Sequence, residues 1–184
     1  MDEKDLLTCI QARAARMAVG ASAVRGQGEG VALAARGFFE VLPLASFGSE
    51  QGLTAPVFDA RVDGVTENLR LAFPAGAQFW GLARKLLNIF LRDSTYTFHL
   101  RVAYGLDAAE PLLELPLDSI TAAALHKCSG TPLPRWLGVK GLTPAASAQY
   151  QRAAQERAQA MGISRVHLDA CWWAHERSSR AAQQ

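Results

Sequence analysis

Four nitrogen-bearing side chains recur at steps of three and four residues: Arg84, Lys85, Asn88 and Arg92. In a helix, such steps place side chains on neighbouring turns of one surface. Two guanidinium groups, an ammonium group and an amide would then form a compact basic patch, and this chemistry binds the phosphate groups of a nucleic acid. The alternative is a solvated basic face on a helix whose other side lies in the core.

A second group of candidate binding residues lies on a predicted loop. Residues 129–140 are rich in glycine and proline, which favours irregular structure. This loop displays Arg135, Trp136 and Lys140. An aromatic ring among cations can stack on a base while the cations meet phosphates. The alternative is that Trp136 anchors the loop in the core or in a contact between protomers.

The cysteines and histidines show no spacing of the CxxC, HxxxH or HxH type, so we predict no metal site. Three widely separated cysteines favour reduced, mostly buried thiols in a cytoplasmic protein over disulfides. Two Cys–His neighbours, Cys128 with His126 and Cys171 with His167, have the chemistry of a nucleophile and its base, but no recognisable motif surrounds them. No sequence feature indicates a cofactor.

The composition is that of an ordinary globular protein. The chain has 184 residues, of which 49% are hydrophobic and 20% charged, and this length predicts a single domain over residues 1–184. A formal net charge of +2 is too small to indicate a nucleic-acid or membrane partner, so any basic site must come from local clustering. No apolar run reaches the roughly 20 residues that cross a bilayer. Because the N-terminus is acidic and lacks a signal-peptide pattern, we expect a cytoplasmic protein without a membrane partner.

The segment from Phe79 to Arg92 is the one on which the predicted fold depends. Its apolar side chains follow the three-and-four spacing of a helix with a wide buried stripe. They are Phe79, Leu82, Ala83, Leu86, Leu87, Phe90 and Leu91. One helix is therefore expected to form part of the core and to carry the basic patch.

The remaining pattern predicts a mainly α fold. Amphipathic or capped segments predict helices at residues 4–25, 31–41, 65–72, 120–127 (with Asp118 or Ser119 as N-cap) and 144–161. Residues 96–104 contain strand-forming side chains, but the helical neighbours and the following glycine favour a helix. Residues 44–63 are predicted to be an irregular loop and residues 176–184 a frayed tail. The prediction is a single-domain bundle of roughly seven or eight helices with at most a minor β element near residues 163–173, which fit a strand or a buried helix.

The run Gly81-Leu82-Ala83-Arg84-Lys85-Leu86-Leu87-Asn88 resembles the hairpin-to-helix segment of helix-hairpin-helix DNA glycosylases. The pattern in that family is glycine, apolar, glycine, arginine, lysine, two further residues and asparagine. Downstream, Pro116-Leu117-Asp118-Ser119 resembles the segment that carries the family's essential aspartate at the start of a helix. Ala83 stands where the family has its second glycine, and Trp80 stands where it usually has proline. The block from Gly81 to Trp173 also resembles small bacterial proteins of unknown activity.

The resemblance implies a mostly helical fold, a duplex held through backbone N–H groups of the hairpin, and a flipped-out base. It implies that Lys85, once desolvated, attacks C1′ of the sugar and forms a Schiff base, while Asp118 stabilises the positive charge that develops on that sugar. Lys85 and Asp118 are therefore the candidate catalytic residues. The candidate residues for binding DNA or another ligand are Arg84, Asn88, Arg92, Arg135, Trp136 and Lys140.

Two functional classes follow. The first is a protein that binds double-stranded DNA, is distantly like these glycosylases and acts on damaged bases. The second is a homo-oligomeric protein that binds a small molecule in an aromatic-lined pocket. Candidates for that lining are Phe79, Trp80, Tyr96, Tyr104 and Trp136. The basic patch distinguishes the classes: exposed and next to Lys140 it favours the first, and buried against acids such as Glu110 or Glu114 it favours the second.

Overall fold

The structure is a computed structural model that describes residues 2–48 and 53–173. Its α-helices are α1 (Glu3–Ala18), α2 (Val31–Glu40), α3 (Ala55–Ala72), α4 (Trp80–Tyr96), α5 (Phe98–Tyr104), α6 (Ser119–Cys128) and α7 (Pro144–Met161). Short 3₁₀ turns cover Leu44–Phe47, Ala75–Ala77, Leu106–Ala108, Glu110–Leu112 and Arg165–His167, and residues 168–173 are helical. No strand occurs in these described ranges. The predicted mainly α, single-domain fold is confirmed.

The chemistry of the helix ends sets several boundaries as predicted. Asp118 is the N-cap of α6, since its Oδ1 accepts hydrogen bonds from the backbone N–H groups of Ile120 and Thr121 at 2.9 and 3.0 Å. Thr143 caps α7, and Pro144 occupies the first turn of that helix. α5 ends at Gly105, whose φ of 61° is the left-handed conformation that favours glycine at a helix end. The prediction of a helix within residues 96–104 is therefore confirmed.

Helix α4 lies at the centre of the packing. Its side chains Leu82, Leu86, Leu87 and Phe90 have no exposed surface. The Phe90 ring stacks on Phe39 of α2, with ring centroids 4.5 Å apart and 5° between the planes. Helices α1, α3, α5 and α7 all contact α4. Since neighbouring elements surround it, Arg84 and Asn88 of α4 are buried and Lys85 and Arg92 are only partly exposed, so the solvated basic face that was the alternative to a binding patch is not present.

The buried apolar residues form two clusters. The larger cluster contains the inner faces of α1 to α5, and the smaller contains those of α6 and α7. At two places the chain passes from one cluster to the other within two residues. Leu113 belongs to the larger cluster and Leu115 to the smaller, and Val166 and Leu168 are divided in the same way.

Two predicted boundaries are wrong. Helix α1 ends at Ala18 instead of continuing to residue 25, because the chain turns at Gly20 and Arg36 Nη2 donates to the Val19 carbonyl oxygen at 2.9 Å. Residues 44–63 are not one irregular loop, since α3 begins at Ala55. The proline content suggested a loop, but Pro56 lies in the first helical turn, where its missing N–H breaks no hydrogen bond.

The possible β element near residues 163–173 is also absent from the structure. A 3₁₀ turn covers Arg165–His167 and is followed by helical residues 168–173. Val166 and Leu168, which suggested strand alternation, are both buried because they enter different apolar clusters.

The three cysteines lie at the surface. Cys9, Cys128 and Cys171 are unpaired and exposed, so the prediction of buried thiols is wrong; Cys9, for example, lies on the side of α1 away from its buried residues. The predicted tail at residues 176–184 lies outside the described residues. Among the helices that the structure describes, none has the length and apolar content needed to traverse a bilayer.

Candidate active site

Lys85 and Asp118 line the same cavity, which we call the Lys85 cavity. Its volume is about 370 Å³, and it lies between the end of α1 with the following turn, one side of α4, the start of α6 and residues 169–173. The polar and aromatic residues that line it are Ser22, Lys85, Arg92, Asp93, Tyr96, Asp118, Asp169 and Trp173. This volume lies within the range of roughly 300–1,000 Å³ that is usual for ligand pockets.

The Lys85 amine is held against backbone in a partly desolvated position. Its Nζ donates a hydrogen bond to the carbonyl oxygen of Ala23 at 3.3 Å. Burial lowers the pKa of Lys85, and the negative charge of Asp118 opposes this effect without cancelling it. A larger fraction of the amine is therefore neutral and nucleophilic near neutral pH than for an exposed lysine.

The start of helix α6 fixes the Asp118 carboxylate. Within the described part of the chain, the hydrogen bonds that this carboxylate accepts all go to Oδ1, from Ile120 N, Thr121 N and Thr121 Oγ1. In return, Thr121 Oγ1 accepts a hydrogen bond from the Asp118 backbone N–H at 2.8 Å. This reciprocal capping holds the charge in place while Oδ2 takes no part in it.

Arg92 binds two of the carboxylates in the cavity wall. Its Nε and Nη2 donate to Asp93 Oδ1 at 2.9 and 2.8 Å, and its Nη1 donates to Asp169 Oδ2. Burial raises the pKa of Asp93, and the Arg92 charge and hydrogen bonds oppose that shift. Arg92 thus favours the ionised forms of acids that line the same cavity as Lys85, and its donors are occupied by protein groups.

Arg84 and Asn88 lie in a different environment, which we call the Arg84 cluster: Arg84, Asn88, Glu114, Asp63 and Thr66. Arg84 is only 6% exposed. Its guanidinium donates to both Glu114 carboxylate oxygens at 2.7 and 2.9 Å, to Asp63 Oδ1 at 2.8 Å and to Thr66 Oγ1 at 3.1 Å. Asn88 Nδ2 donates to Glu114 Oε2 at 2.9 Å. The donors of Arg84 and Asn88 therefore serve internal contacts.

The charges of this cluster stabilise each other. Burial alone would raise the pKa of Glu114, but the hydrogen bonds and charge of Arg84, together with Asn88, outweigh it and hold that pKa below its ordinary value. Burial alone would lower the pKa of Arg84, but Glu114 and Asp63 reverse this and raise it. Both groups are consequently ionised at neutral pH.

The loop candidates lie apart from the Lys85 cavity. Trp136 packs edge-on against Tyr150, with ring centroids 5.7 Å apart, and borders the smaller apolar cluster. Lys140 Nζ lies 5.4 Å from the ring centroid of Phe79, and Arg135 is exposed. None of Arg135, Trp136 and Lys140 lines the cavity that contains Lys85.

The structure also separates the aromatic residues that were expected to line one pocket. Tyr96 lines the Lys85 cavity. Trp80 borders a second cavity, of about 300 Å³, beside the Arg84 cluster, and its ring centroid is 5.5 Å from Arg84 Cζ. Phe79 and Trp136 contact the loop and α7, and the backbone of Tyr104 abuts Gly48. A single pocket containing all five is not present in the described residues.

Sequence reasoning missed Asp93, Asp169 and Trp173 as cavity residues. A signal for part of the site was available, because Lys85, Ile89, Arg92 and Tyr96 follow a four-three-four spacing and form a helical face of their own. The predicted basic patch combined residues from two faces of α4: Lys85 and Arg92 line the cavity, whereas Arg84 lies against Glu114. Asp169 and Trp173 come from a distant segment, which no local pattern connects to α4.

Comparison of the chain with protein-family models, with curated proteins and with solved structures gave no match. Within residues 2–48 and 53–173, no group of three or more His, Cys, Asp and Glu residues is arranged to hold a metal ion. The function must therefore be inferred from the chemistry of the Lys85 cavity.

Proposed function

We propose that the protein is a DNA-binding enzyme that acts on damaged duplex DNA, with Lys85 as its nucleophile and Asp118 as the charge that stabilises the reacting sugar. One observation carries this proposal. Lys85 and Asp118, which lie far apart in the sequence, line the same cavity, and burial there lowers the pKa of Lys85. The resemblance to helix-hairpin-helix glycosylases points to the same two residues from their sequence motifs alone.

The chemistry suits an amine nucleophile. With an abasic site as substrate, the Lys85 Nζ lone pair forms a bond to the aldehyde carbon C1′; loss of water then leaves a protonated imine. With an intact damaged nucleotide, Nζ bonds to C1′ as the bond between C1′ and the base breaks; the electron pair leaves with the base, which takes up a proton from the amine. Opening of the sugar ring then gives the same protonated imine. Both routes place positive charge on the sugar or imine, where the Asp118 carboxylate stabilises it.

DNA contacts in this proposal fall to exposed cations, including Arg135 and Lys140. We assign no DNA contact to Arg84 and Asn88, because Glu114 and Asp63 occupy their donors. Arg92 likewise acts within the cavity wall, where it holds Asp93 and Asp169. We also assign no grip on the duplex to the backbone around Gly81, because Val139 and Leu142 cover it.

The direct test is reductive trapping. The protein is incubated with a labelled duplex that contains one abasic site, in the presence of borohydride, and the adduct is located by peptide mass spectrometry. We expect a covalent adduct on Lys85 that Lys85→Gln abolishes. Lys127→Gln is the matched control, since Lys127 is exposed on α6. An adduct on other lysines only, or none at all, contradicts the proposal.

A binding measurement complements the trapping. Fluorescence anisotropy at low and moderate salt compares the abasic duplex with plain duplex and single strand. Preferential and salt-sensitive binding to the damaged duplex is expected, because phosphate contacts release counterions. Equal affinity for all three nucleic acids would remove damage recognition from the proposal.

A second candidate function is the binding of a small molecule. The burial of Arg84 and Asn88 against Glu114 favours it, since that placement removes part of the expected DNA-binding patch. Tyr96 and Trp173 supply aromatic lining to the Lys85 cavity. A ligand-induced rise in Tm that Trp173→Ala abolishes, without any trapping of abasic DNA, would support this function. Sedimentation would test the predicted homo-oligomer in the same preparation.

A further inference from the structure

The cavity of about 300 Å³ beside the Arg84 cluster has charged walls that the proposed reaction of Lys85 does not use. We call it the Arg165 cavity. It lies between α3, the first turns of α4 and α7, and the segments that contain Glu114 and Arg165. Its charged residues are Asp59, Asp63, Arg84, Glu114, Arg152 and Arg165. Because charges of both signs line one small space, it suits a small ligand that also carries both signs.

Arg165 is a fixed cation in this wall. Its Nε and Nη2 donate to the carbonyl oxygens of Leu113 and Leu112, both at 3.0 Å. Within residues 2–48 and 53–173, no carboxylate forms a hydrogen bond or an ion pair with Arg165, and its Nη1 has no acceptor. The two carbonyl groups thus hold the guanidinium in place and leave one nitrogen for a ligand.

The charge of Arg165 is not neutralised by its neighbours. Burial lowers the pKa of Arg165. The negative charges of Glu114 and Asp59 oppose this shift, and the positive charge of Arg84 adds to it. Glu114 already binds Arg84 through both carboxylate oxygens. Since arginine stays protonated in proteins, the cavity beside Arg165 favours an anionic group.

Ser147 supplies a second donor to the same cavity. The residue is only 3% exposed, and its hydroxyl has no hydrogen-bond partner in the part of the chain that the structure describes. It lines the Arg165 cavity, where a ligand oxygen can satisfy it. Ser147 also lies near the start of α7, an 18-residue helix, and the N-terminal end of a helix carries positive potential. Both properties favour an anion there.

Two acids on α3 provide the complementary charge. Asp59 and Asp63 are one helical turn apart, line the cavity and are exposed. Asp63 Oδ1 accepts from Arg84 Nη1 at 2.8 Å. Among the described residues, Asp63 Oδ2 and the whole Asp59 carboxylate accept no hydrogen bond. These oxygens are available to an ammonium group, while Trp80 adds an aromatic wall.

We propose that the Arg165 cavity binds a free α-amino acid with an apolar side chain. The ligand carboxylate contacts Arg165 and Ser147, and its ammonium group contacts Asp59 and Asp63. Its side chain lies against Trp80. The volume is at the lower end of the range for ligand pockets, which fits a molecule of this size. This site is separate from the Lys85 cavity and does not depend on the reaction assigned to Lys85.

Isothermal titration calorimetry of the whole chain tests the ligand class. The probes are L-leucine, L-methionine and L-phenylalanine, each with its amide, which lacks the carboxylate, and its N-acetyl derivative, which lacks the ammonium group. We expect at least one amino acid to bind. Each derivative should bind about tenfold more weakly, because it leaves a charged group of the cavity without its partner. No binding of any amino acid, or a derivative that binds as tightly as its parent, would overturn the proposal.

Two substitutions test the location without breaking a hydrogen bond among the described residues. Ser147→Ala and Asp59→Asn should each weaken binding of the amino acid by about tenfold. Asp59→Asn should weaken the N-acetyl derivative no further, since that derivative lacks the group that Asp59 contacts. The matched controls are Ser94→Ala, which removes a buried hydroxyl from α4, and Glu156→Gln, which removes an exposed acid from α7. Both controls should bind as the wild type does.

A last variant distinguishes the two cavities. Lys85→Gln should bind the amino acid as tightly as the wild type. Binding that is lost in Lys85→Gln and retained in Ser147→Ala would place the ligand in the Lys85 cavity and overturn the proposal. Wild-type affinity in both Ser147→Ala and Asp59→Asn would do the same. Neither result alters the trapping of abasic DNA, so this proposal and the proposed function fail separately.

Discussion

Arg84 and Glu114 form a paired double hydrogen bond between α4 and the segment that leads to Asp118. Nε donates to Oε2 at 2.7 Å and Nη2 donates to Oε1 at 2.9 Å, the bidentate geometry that gives arginine–carboxylate pairs their directional strength. Glu114 lies four residues before Asp118 in the chain. The pair therefore fixes the approach of Asp118 to the helix that carries Lys85.

Replacing Glu114 by glutamine should strongly destabilise the fold. The change leaves the Arg84 charge buried with only the more exposed Asp63 as its acid, and breaking a buried pair in this way typically costs about 3–5 kcal/mol. Urea denaturation measures the effect. Glu67→Gln is the control, because the Glu67–Arg70 pair lies at the surface and should contribute little. Equal effects of the two variants would show that the Arg84 cluster is not a buried ion pair in solution.

The same carboxylate predicts a pH dependence. Because the pKa of Glu114 is lower in the folded protein than in the unfolded chain, its contribution is fully present above the unfolded value of about 4.3. The contribution is lost as pH falls through the folded-state pKa. The difference in stability between wild type and Glu114→Gln should therefore shrink on acidification below about pH 4. A difference that stays constant down to acid unfolding would contradict the lowered pKa.

Lys85→Met should leave the protein at least as stable as the wild type at pH 7 while abolishing the proposed imine formation. Folding lowers the pKa of Lys85 through burial, so the charged amine opposes folding at neutral pH. As pH rises from the folded-state pKa towards the unfolded value of about 10.4, the wild type gains stability relative to the variant. Thermal unfolding at pH 7 and pH 10 measures this gain. A wild type that is more stable than the variant at pH 7 and loses that advantage at pH 10 would contradict the sign of the shift.

Asp118 combines a structural role with a proposed chemical one, and two substitutions separate them. Asp118→Asn keeps an oxygen that can cap α6, whereas Asp118→Ala loses the cap and should cost about 1 kcal/mol. Both remove the charge, so both should lower the pKa of Lys85 further and slow the reaction of abasic DNA. Thr143→Ala removes the cap of α7 and is the matched control for stability. Full activity in Asp118→Asn would leave Asp118 with the capping role alone.

The extent to which the sequence predicted this site depends on whether its residues lie on one element. Lys85, Arg92 and Tyr96 share α4, and helical spacing places them on one face. The N-cap role of Asp118 follows from local chemistry, and its partnership with Lys85 came only from a resemblance. Spacing could not show that Glu114 lies against Arg84 or Asp169 against Arg92, because tertiary packing brings those acids from distant segments.

Gly81 permits the close approach of the loop to the start of α4. A Cβ atom there would lie 2.4 Å from the Val139 carbonyl oxygen and 2.6 Å from Leu142 Cβ. Gly81→Ala should therefore destabilise the fold by about 1–3 kcal/mol through overpacking. Gly64→Ala, in α3 with open space around the added methyl group, should instead stabilise by roughly 0.5–1 kcal/mol. Denaturation midpoints that move in the same direction for both would contradict this packing.

The division of the apolar residues into two clusters has a consequence for how activity is lost. Lys85 lies on a helix whose inner face belongs to the larger cluster, and Asp118 lies between Leu117 and α6 in the smaller. Parts of a protein with separate cores can open as separate cooperative units. Amide protons of α6 and α7 should then exchange faster than those of α4, and the smaller unit should melt first. The proposed activity of Lys85 would disappear at that first step, while most of the polypeptide is still folded, so inactivation by heat would precede global unfolding.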